Sequence, residues 1–298
     1  NGIPVIGEFD HTLYKPLYLI DDYFQRLVYE QMNGWKEMTG VIGVKEYWGF
    51  APSTFSVNYS MLKAWMKTPD ATLEELLQQI AVPYGKKSSP YMIRAWEYVA
   101  QAVEAFPWDV TSSFPGLSRN STGEHNWEFV QIMNATFNTP IWEANRRAGF
   151  MLTDAKVAHP WIFEDTGLRL EDAAELNFKA VEYFDKALAE NEHLTEDIIM
   201  QRDHIKKIAR SLKGEALHFA LTIAAQDART VQGNQEQFEI VCARISKLLE
   251  ADVANGHTAA AAKLSEFNTD PKTWLQNNFK PLTWKSEAEP NWSKWITP

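Results

Sequence analysis

The chain has 298 residues, 45% of them hydrophobic, which is enough to bury a sizeable core and, by length, to divide into about two domains. A net charge of −10 with no Lys/Arg-rich run argues against a phosphate-backbone footprint, so no nucleic-acid partner is expected. No apolar stretch reaches the ~20 residues that cross a bilayer, no N-terminal run pairs basic residues with an apolar segment, and the lone Cys242 excludes internal disulfides and a cysteine-based metal site.

Ile3 to Phe9 is a short β-rich apolar run that closes on Glu8, Phe9, Asp10 and His11. A buried parallel strand delivering polar residues at its C-terminal end has this pattern. A helix is expected next, with Pro16 in its first turn, Leu19, Tyr23, Leu27 and Val28 at helical spacing, and Asn33-Gly34 as its stop. A second strand runs from Gly40 through Val41, Ile42, Val44 and Tyr47 to Gly49 and places Lys45, Glu46 and Trp48 at its end. Strand, helix and strand of these lengths form a βα unit followed by another strand.

Two helices carry clear signals: Thr72-Leu-Glu-Glu75 is a capping box ahead of Leu76, Leu77 and Ile80, and Ser89-Pro90 opens a run with Ile93, Trp96, Val103 and Phe106 that Pro107 stops. From Asp109 to Gly167 the turn signals Pro115-Gly116, Ser118 to Gly123 and His159-Pro160 surround one short helical candidate near Trp142 to Phe150. Beyond it, Glu171 to Glu190, Thr195 to Ala225 and Asn234 to Val253 each place apolar residues on one face, as a helical bundle requires. Asn234 with Gln237 caps the third of these helices, Asn255-Gly256 ends it, and a shorter helix follows from Thr258. The tail holds Trp274, Phe279, Trp284, Trp292 and Trp295, too many aromatics for a free terminus. The expected fold is mainly α: residues 1–108 an α/β segment with closing helices, 109–167 an irregular connector, and 168–298 a helical bundle with an aromatic-rich tail.

Functional groups in parallel α/β barrels sit on the loops at the C-terminal ends of strands. That rule selects two clusters, Glu8, Asp10 and His11, and Glu46, Tyr47 and Trp48 with Asn58 and Tyr59 on the loop that follows. Carboxylates beside aromatic rings are the raw material of glycoside hydrolysis, one acting as acid or stabiliser and another as base or nucleophile while a ring stacks on the sugar. Glu8 and Glu46 as solvated strand ends or salt-bridge partners is the alternative. Period-two alternation puts Val44 and Glu46 on one face of the second strand and Lys45 and Tyr47 on the other. His204 and His218 share a helix about four turns apart, too far to share a metal, and read as structural. No phosphate loop, His-Glu-x-x-His pair or Gly-x-Ser-x-Gly elbow occurs. Asn-x-Ser/Thr acceptor patterns such as Asn120-Ser-Thr122 matter only in a secretory chain.

The run Gly43-Val-Lys-Glu-Tyr-Trp-Gly49, with Asn58, Thr72-Leu-Glu-Glu-Leu-Leu77, Tyr84-Gly85 and Ala95-Trp96, resembles the last strand and closing helices of bacterial glycoside hydrolase barrels of the α-glucuronidase-like and hexosaminidase-like kinds. The resemblance covers Pro4 to Pro107, a third of the chain. It implies the last βα units of a TIM-type barrel followed by a helical C-terminal region, a carbohydrate substrate, no cofactor or metal, and an extracytoplasmic (periplasmic or secreted) location. It implies Glu46, Glu8 and Asp10 as catalytic candidates, and His11, Tyr47, Trp48, Asn58 and Tyr59 as substrate-binding ones. A whole barrel takes eight βα units and ~250 residues, so the chain reads as the C-terminal part of a longer enzyme whose site is shared with earlier strands. A non-catalytic helical module binding glycans or a partner protein, and a helical scaffold without a small ligand, remain as alternatives.

Overall fold

The computed structural model describes residues 5–9, 23–46, 56–106, 157–158, 160–190, 192–278 and 283–284, and it is mainly helical. Strand β1 (Val5–Phe9) leads to helix α1 (Gln25–Glu37), strand β2 (Val41–Glu46), helix α2 (Val57–Lys67), helix α3 (Leu73–Ala81), a 3₁₀ turn (Val82–Tyr84) and helix α4 (Ser89–Ala105). Strand β3 (Val157–Ala158) then precedes helices α5 (Pro160–Glu190), α6 (Thr195–Thr230), α7 (Gln235–Ala254), α8 (Thr258–Thr269) and α9 (Pro271–Asn278), and the short strand β4 (Thr283–Trp284) pairs parallel with β3. The chain forms two compact units, neither contiguous in sequence. One joins residues 1–106 to 172–209, the other 107–171 to 210–298, so the long helices α5 and α6 contribute to both.

In the first unit, β1 and β2 are parallel neighbours with α1 between them in the chain. Helix α1 runs through Asn33-Gly34, where the sequence suggested a stop, and ends at Glu37. A Cβ at Gly34 would meet nothing within 4 Å, so glycine there loosens the helix without breaking it. The turn into β2 is made instead by Gly40, whose φ of 93° suits a residue without a Cβ. The Thr72 capping box forms as read: Thr72 N donates to Glu75 Oε2 at 2.8 Å and Glu75 N to Thr72 Oγ1 at 3.2 Å. Helix α4 begins one residue before Pro90, whose missing N–H costs nothing in a first turn. Its inward face, Met92, Ala95, Trp96, Val99 and Val103, is buried, as are Tyr23, Val28, Met32, Met61, Leu76, Phe184, Ile205 and Ile208 elsewhere in the unit.

In the second unit, α5 starts at Pro160 and passes through Gly167. The connector read over 109–167 thus ends in helix: Gly167 is not a breaker but a close-packing site, where a Cβ would stand 3.2 Å from Phe219 Cβ. Asn234 caps α7 by accepting from Gln237 N at 3.2 Å, and Gly256, at φ 98°, closes it. A core of Phe238, Ile245, Leu249, Phe267, Trp274, Leu275 and four residues of α6 seals this end. Phe267 and Trp274 meet edge to face with centroids 5.1 Å apart. The Trp142 to Phe150 helical candidate, Phe279, Trp292 and Trp295 lie outside the described residues. No helix among the described residues is long and apolar enough to cross a membrane.

Candidate functional site

The ladder pairs Gly7 with Val44, Glu8 with Lys45 and Phe9 with Glu46, so the C-terminal ends of the two strands lie level. Glu8 and Glu46 are one step out of register and occupy alternate rows of the pleat. Asp10, His11, Tyr47 and Trp48 lie outside the described residues. Asn58 and Tyr59, expected on a loop, form the first turn of α2, because Ser56 is a good N-cap: its Oγ accepts from Tyr59 N at 3.2 Å. Asn58 is fully buried and its Oδ1 accepts from Phe24 N. That bond ties the first turn of α2 to the start of α1. Tyr59 is half-buried, with Lys63 Nζ 4.1 Å from its ring centroid.

Beside these elements the first unit holds a closed polar network centred on buried Gln201 of α6. Its Oε1 accepts from Trp96 Nε1 at 2.9 Å and from Tyr23 Oη at 3.3 Å. Its Nε2 donates to Tyr84 Oη at 2.9 Å and to Asp197 Oδ2 at 3.0 Å. Tyr84 in turn donates to Asp197 Oδ2 at 2.6 Å. Burial, reinforced by the Asp197 carboxylate, pushes the Tyr84 hydroxyl far above the usual phenol range, so it stays a donor at any ordinary pH. Every polar atom of the Gln201 amide is used, which makes this a specifying element of the core rather than an open site.

A groove of about 860 Å³ runs along α3 and α4 in the same unit, and an adjoining recess of about 240 Å³ reaches Gln25 at the start of α1. Leu73, Leu77, Arg94 and Glu97 are common to both. The size lies within the ~300–1,000 Å³ of small-molecule sites.

The second unit carries a buried acid cluster that the sequence reading missed. Glu215 on α6 is 1% exposed, and its Oε2 has no hydrogen-bond partner among the described residues. Burial, and then the charge of Asp252, raise its pKa well above the ordinary carboxylate value. Asp252, on α7, is its opposite. Burial opposes ionisation there too, but His218 and His257 hydrogen-bond and face the carboxylate and hold its pKa well below the usual range. Asp252 Oδ1 meets His257 Nδ1, and its Oδ2 lies 3.7 Å from His218 Nε2. Two neighbouring carboxyls with pKa values driven apart are the arrangement from which acid and base roles are made, but these are sealed in a core. Among the described residues no group of three or more His, Cys, Asp and Glu side chains is set to hold a metal ion. The signal available in sequence was Glu215 and His218 on one face of a helix; Asp252 and His257 reach them only through the packing of α7 on α6. Cys242 is partly buried, and burial with the nearby Glu239 charge raises its thiol pKa, which keeps it unreactive.

In comparisons with known proteins, no family model, no curated protein and no solved structure matches this chain.

Proposed function

We propose that this chain is carbohydrate-active and forms the C-terminal part of a glycoside hydrolase that acts on oligo- or polysaccharide. The observation that supports it is the parallel β1–β2 pair with α1 between the strands, whose C-terminal ends lie level and carry Glu8 and Glu46. Parallel α/β folds bind and react at that end. On this reading residues 1–108 are the last βα units of a TIM-type barrel, and α5 to α9 supply the helical region after it.

Hydrolysis needs one carboxylic acid to protonate the departing oxygen and one carboxylate to attack the sugar or activate water. Glu46, Glu8 and Asp10 are the candidates for one of these roles, and the counterpart comes from an earlier strand of the longer enzyme. His11, Tyr47, Trp48, Asn58 and Tyr59 are the residues that hold the sugar, and Asn58 also fastens the first turn of α2 to Phe24. An extracytoplasmic location follows from the same reading.

The test is turnover of aryl glycosides and oligosaccharides by the wild-type protein and by Glu46→Gln, which keeps the shape and removes the charge. A loss of about 10²-fold or more in kcat with unchanged melting is the expected result. Near-wild-type turnover by the variant removes Glu46 from the site. A second reading, a non-catalytic helical module binding a glycan or a protein, draws support from the α3–α4 groove, which has the size of a ligand site with none of the strand-end acids in it. Binding of glycans with no turnover in either protein would favour it.

A further inference from the structure

The α3–α4 groove contains none of the strand-end residues, and its own chemistry selects a ligand. Its floor is aliphatic: Leu77 is buried, Leu73 and Ile93 are half-buried beside it, and Val82 stands 69% exposed at one end. Around groove and recess stand three acids, Glu74, Glu97 and Glu104, and three bases, Arg26, Lys86 and Arg94, so the lining charge sums to zero. Two of the bases are already engaged, Arg94 with Glu97 at 2.7 Å and Arg26 with Glu104 at 3.6 Å. Arg94 also lies 4.8 Å from the Tyr98 ring centroid, which holds its guanidinium in place. An anion entering here meets three carboxylates as well as three bases, and a cation the reverse, so the lining as a whole favours neither sign of charge.

Gln25 supplies the second observation. It is 2% exposed and lines the recess, its Nε2 donates to Trp96 O at 2.9 Å, and its Oε1 has no hydrogen-bond partner among the described residues. An unmet buried carbonyl is costly, by about 1–3 kcal/mol, and is relieved by a donor. The donor that carries no charge, also accepts from Arg and Gln, and comes attached to an apolar carbon face is a hydroxyl on a ring. We propose that groove and recess form a binding site for a neutral polyhydroxylated ligand of the pyranose class. Its C–H face lies on Leu73, Leu77 and Ile93, and its hydroxyls bridge Gln25, Gln101 and the Arg94–Glu97 pair. This site is argued from the groove alone and stands without the strand ends.

The experiment is saturation-transfer NMR and calorimetry on the full chain, with methyl β-D-glucopyranoside and cellotriose as neutral probes and glucuronate and glucosamine as charged ones. The variants are Ile93→Arg, which fills the groove and unbalances its charge, and Gln101→Ala, at an exposed position of the recess. Val82→Arg, at a position already exposed, replaces the first if circular dichroism shows it unfolded. The neutral probes are expected to bind, to lose roughly tenfold or more in affinity in each variant, to exceed the charged probes by a similar factor, and to be indifferent to Glu46→Gln. No binding of either neutral probe, binding that the groove variants leave unchanged, or equal binding of the charged probes overturns the proposal. Binding lost in Glu46→Gln but kept in Ile93→Arg overturns it while leaving the strand-end reading intact.

Discussion

Replacing Glu215 by Gln removes a buried titratable carboxyl while keeping its shape, and the effect on stability is set by proton linkage. The folded-state pKa of Glu215 is raised, so its contribution is fully present below the unfolded value of 4.5 and is lost as pH rises toward the folded value. Over that interval the folded protein keeps one proton that the unfolded chain releases. The wild type therefore loses about 1.4 kcal/mol of stability per pH unit from this group, and Glu215→Gln loses none of it. The amide has its own unmet polar atoms, a pH-independent offset of about 1–3 kcal/mol in either protein, so the difference in slope is the informative quantity. Asp252 does not confuse the measurement, since its lowered pKa makes its contribution present above 3.8 and lost only as pH falls further, and the same holds in both proteins. The assay is urea unfolding followed by circular dichroism from pH 4.5 upward, with the two proteins compared at each pH. The stability gap should widen in favour of Glu215→Gln as pH rises. Curves that stay parallel from pH 4.5 upward would refute the reasoning, because they mean that Glu215 ionises as readily folded as unfolded.

Gly85→Ala should be sharply destabilising: φ there is 98°, and a Cβ would stand 2.7 Å from Glu192 Cβ and collide with its Oε2. Left-handed backbone in a non-glycine residue costs on the order of 1–3 kcal/mol before the collision is counted. Glu192 also accepts from Lys87 N at 2.7 Å and Ser88 N at 3.1 Å, so melting of Gly85→Ala, Glu192→Ala and the double variant should be non-additive, and strict additivity would show that the contact is not strained. Gln201→Leu removes the acceptor of Trp96 Nε1 and one partner of Tyr84 Oη, which keeps its bond to Asp197. The stranded indole N–H should cost about 1–3 kcal/mol, and a thermal melt within a degree of wild type would show that water replaces the amide.

Much of the local structure was legible because its causes are local. The Thr72 box, the Asn234 cap and the stop after α7 at Asn255-Gly256 each depend on residues three or four apart, and each forms as the sequence indicates. Local signals also misled, in instructive ways. Asn33-Gly34 looks like a stop yet sits inside α1, and the connector read to Gly167 ends in helix, where a Cβ at Gly167 would press on Phe219 at 3.2 Å. Ser56 drew Asn58 and Tyr59 out of the expected loop into the first turn of α2.

What amino-acid order alone determined is the mainly helical class and the caps, since hydrophobic period and hydrogen-bonding side chains act over a few residues. Tertiary structure decided the rest. It divided α5 and α6 between two units, brought Gln201 to Tyr84 across 117 residues and Asp252 to His218 across 34, and set Gln25 in the lining of a recess shared with helices that follow it. Such juxtapositions arise when separate apolar faces are buried against one another, and that choice of partner is made by the packing of the whole core, which no short window of residues contains.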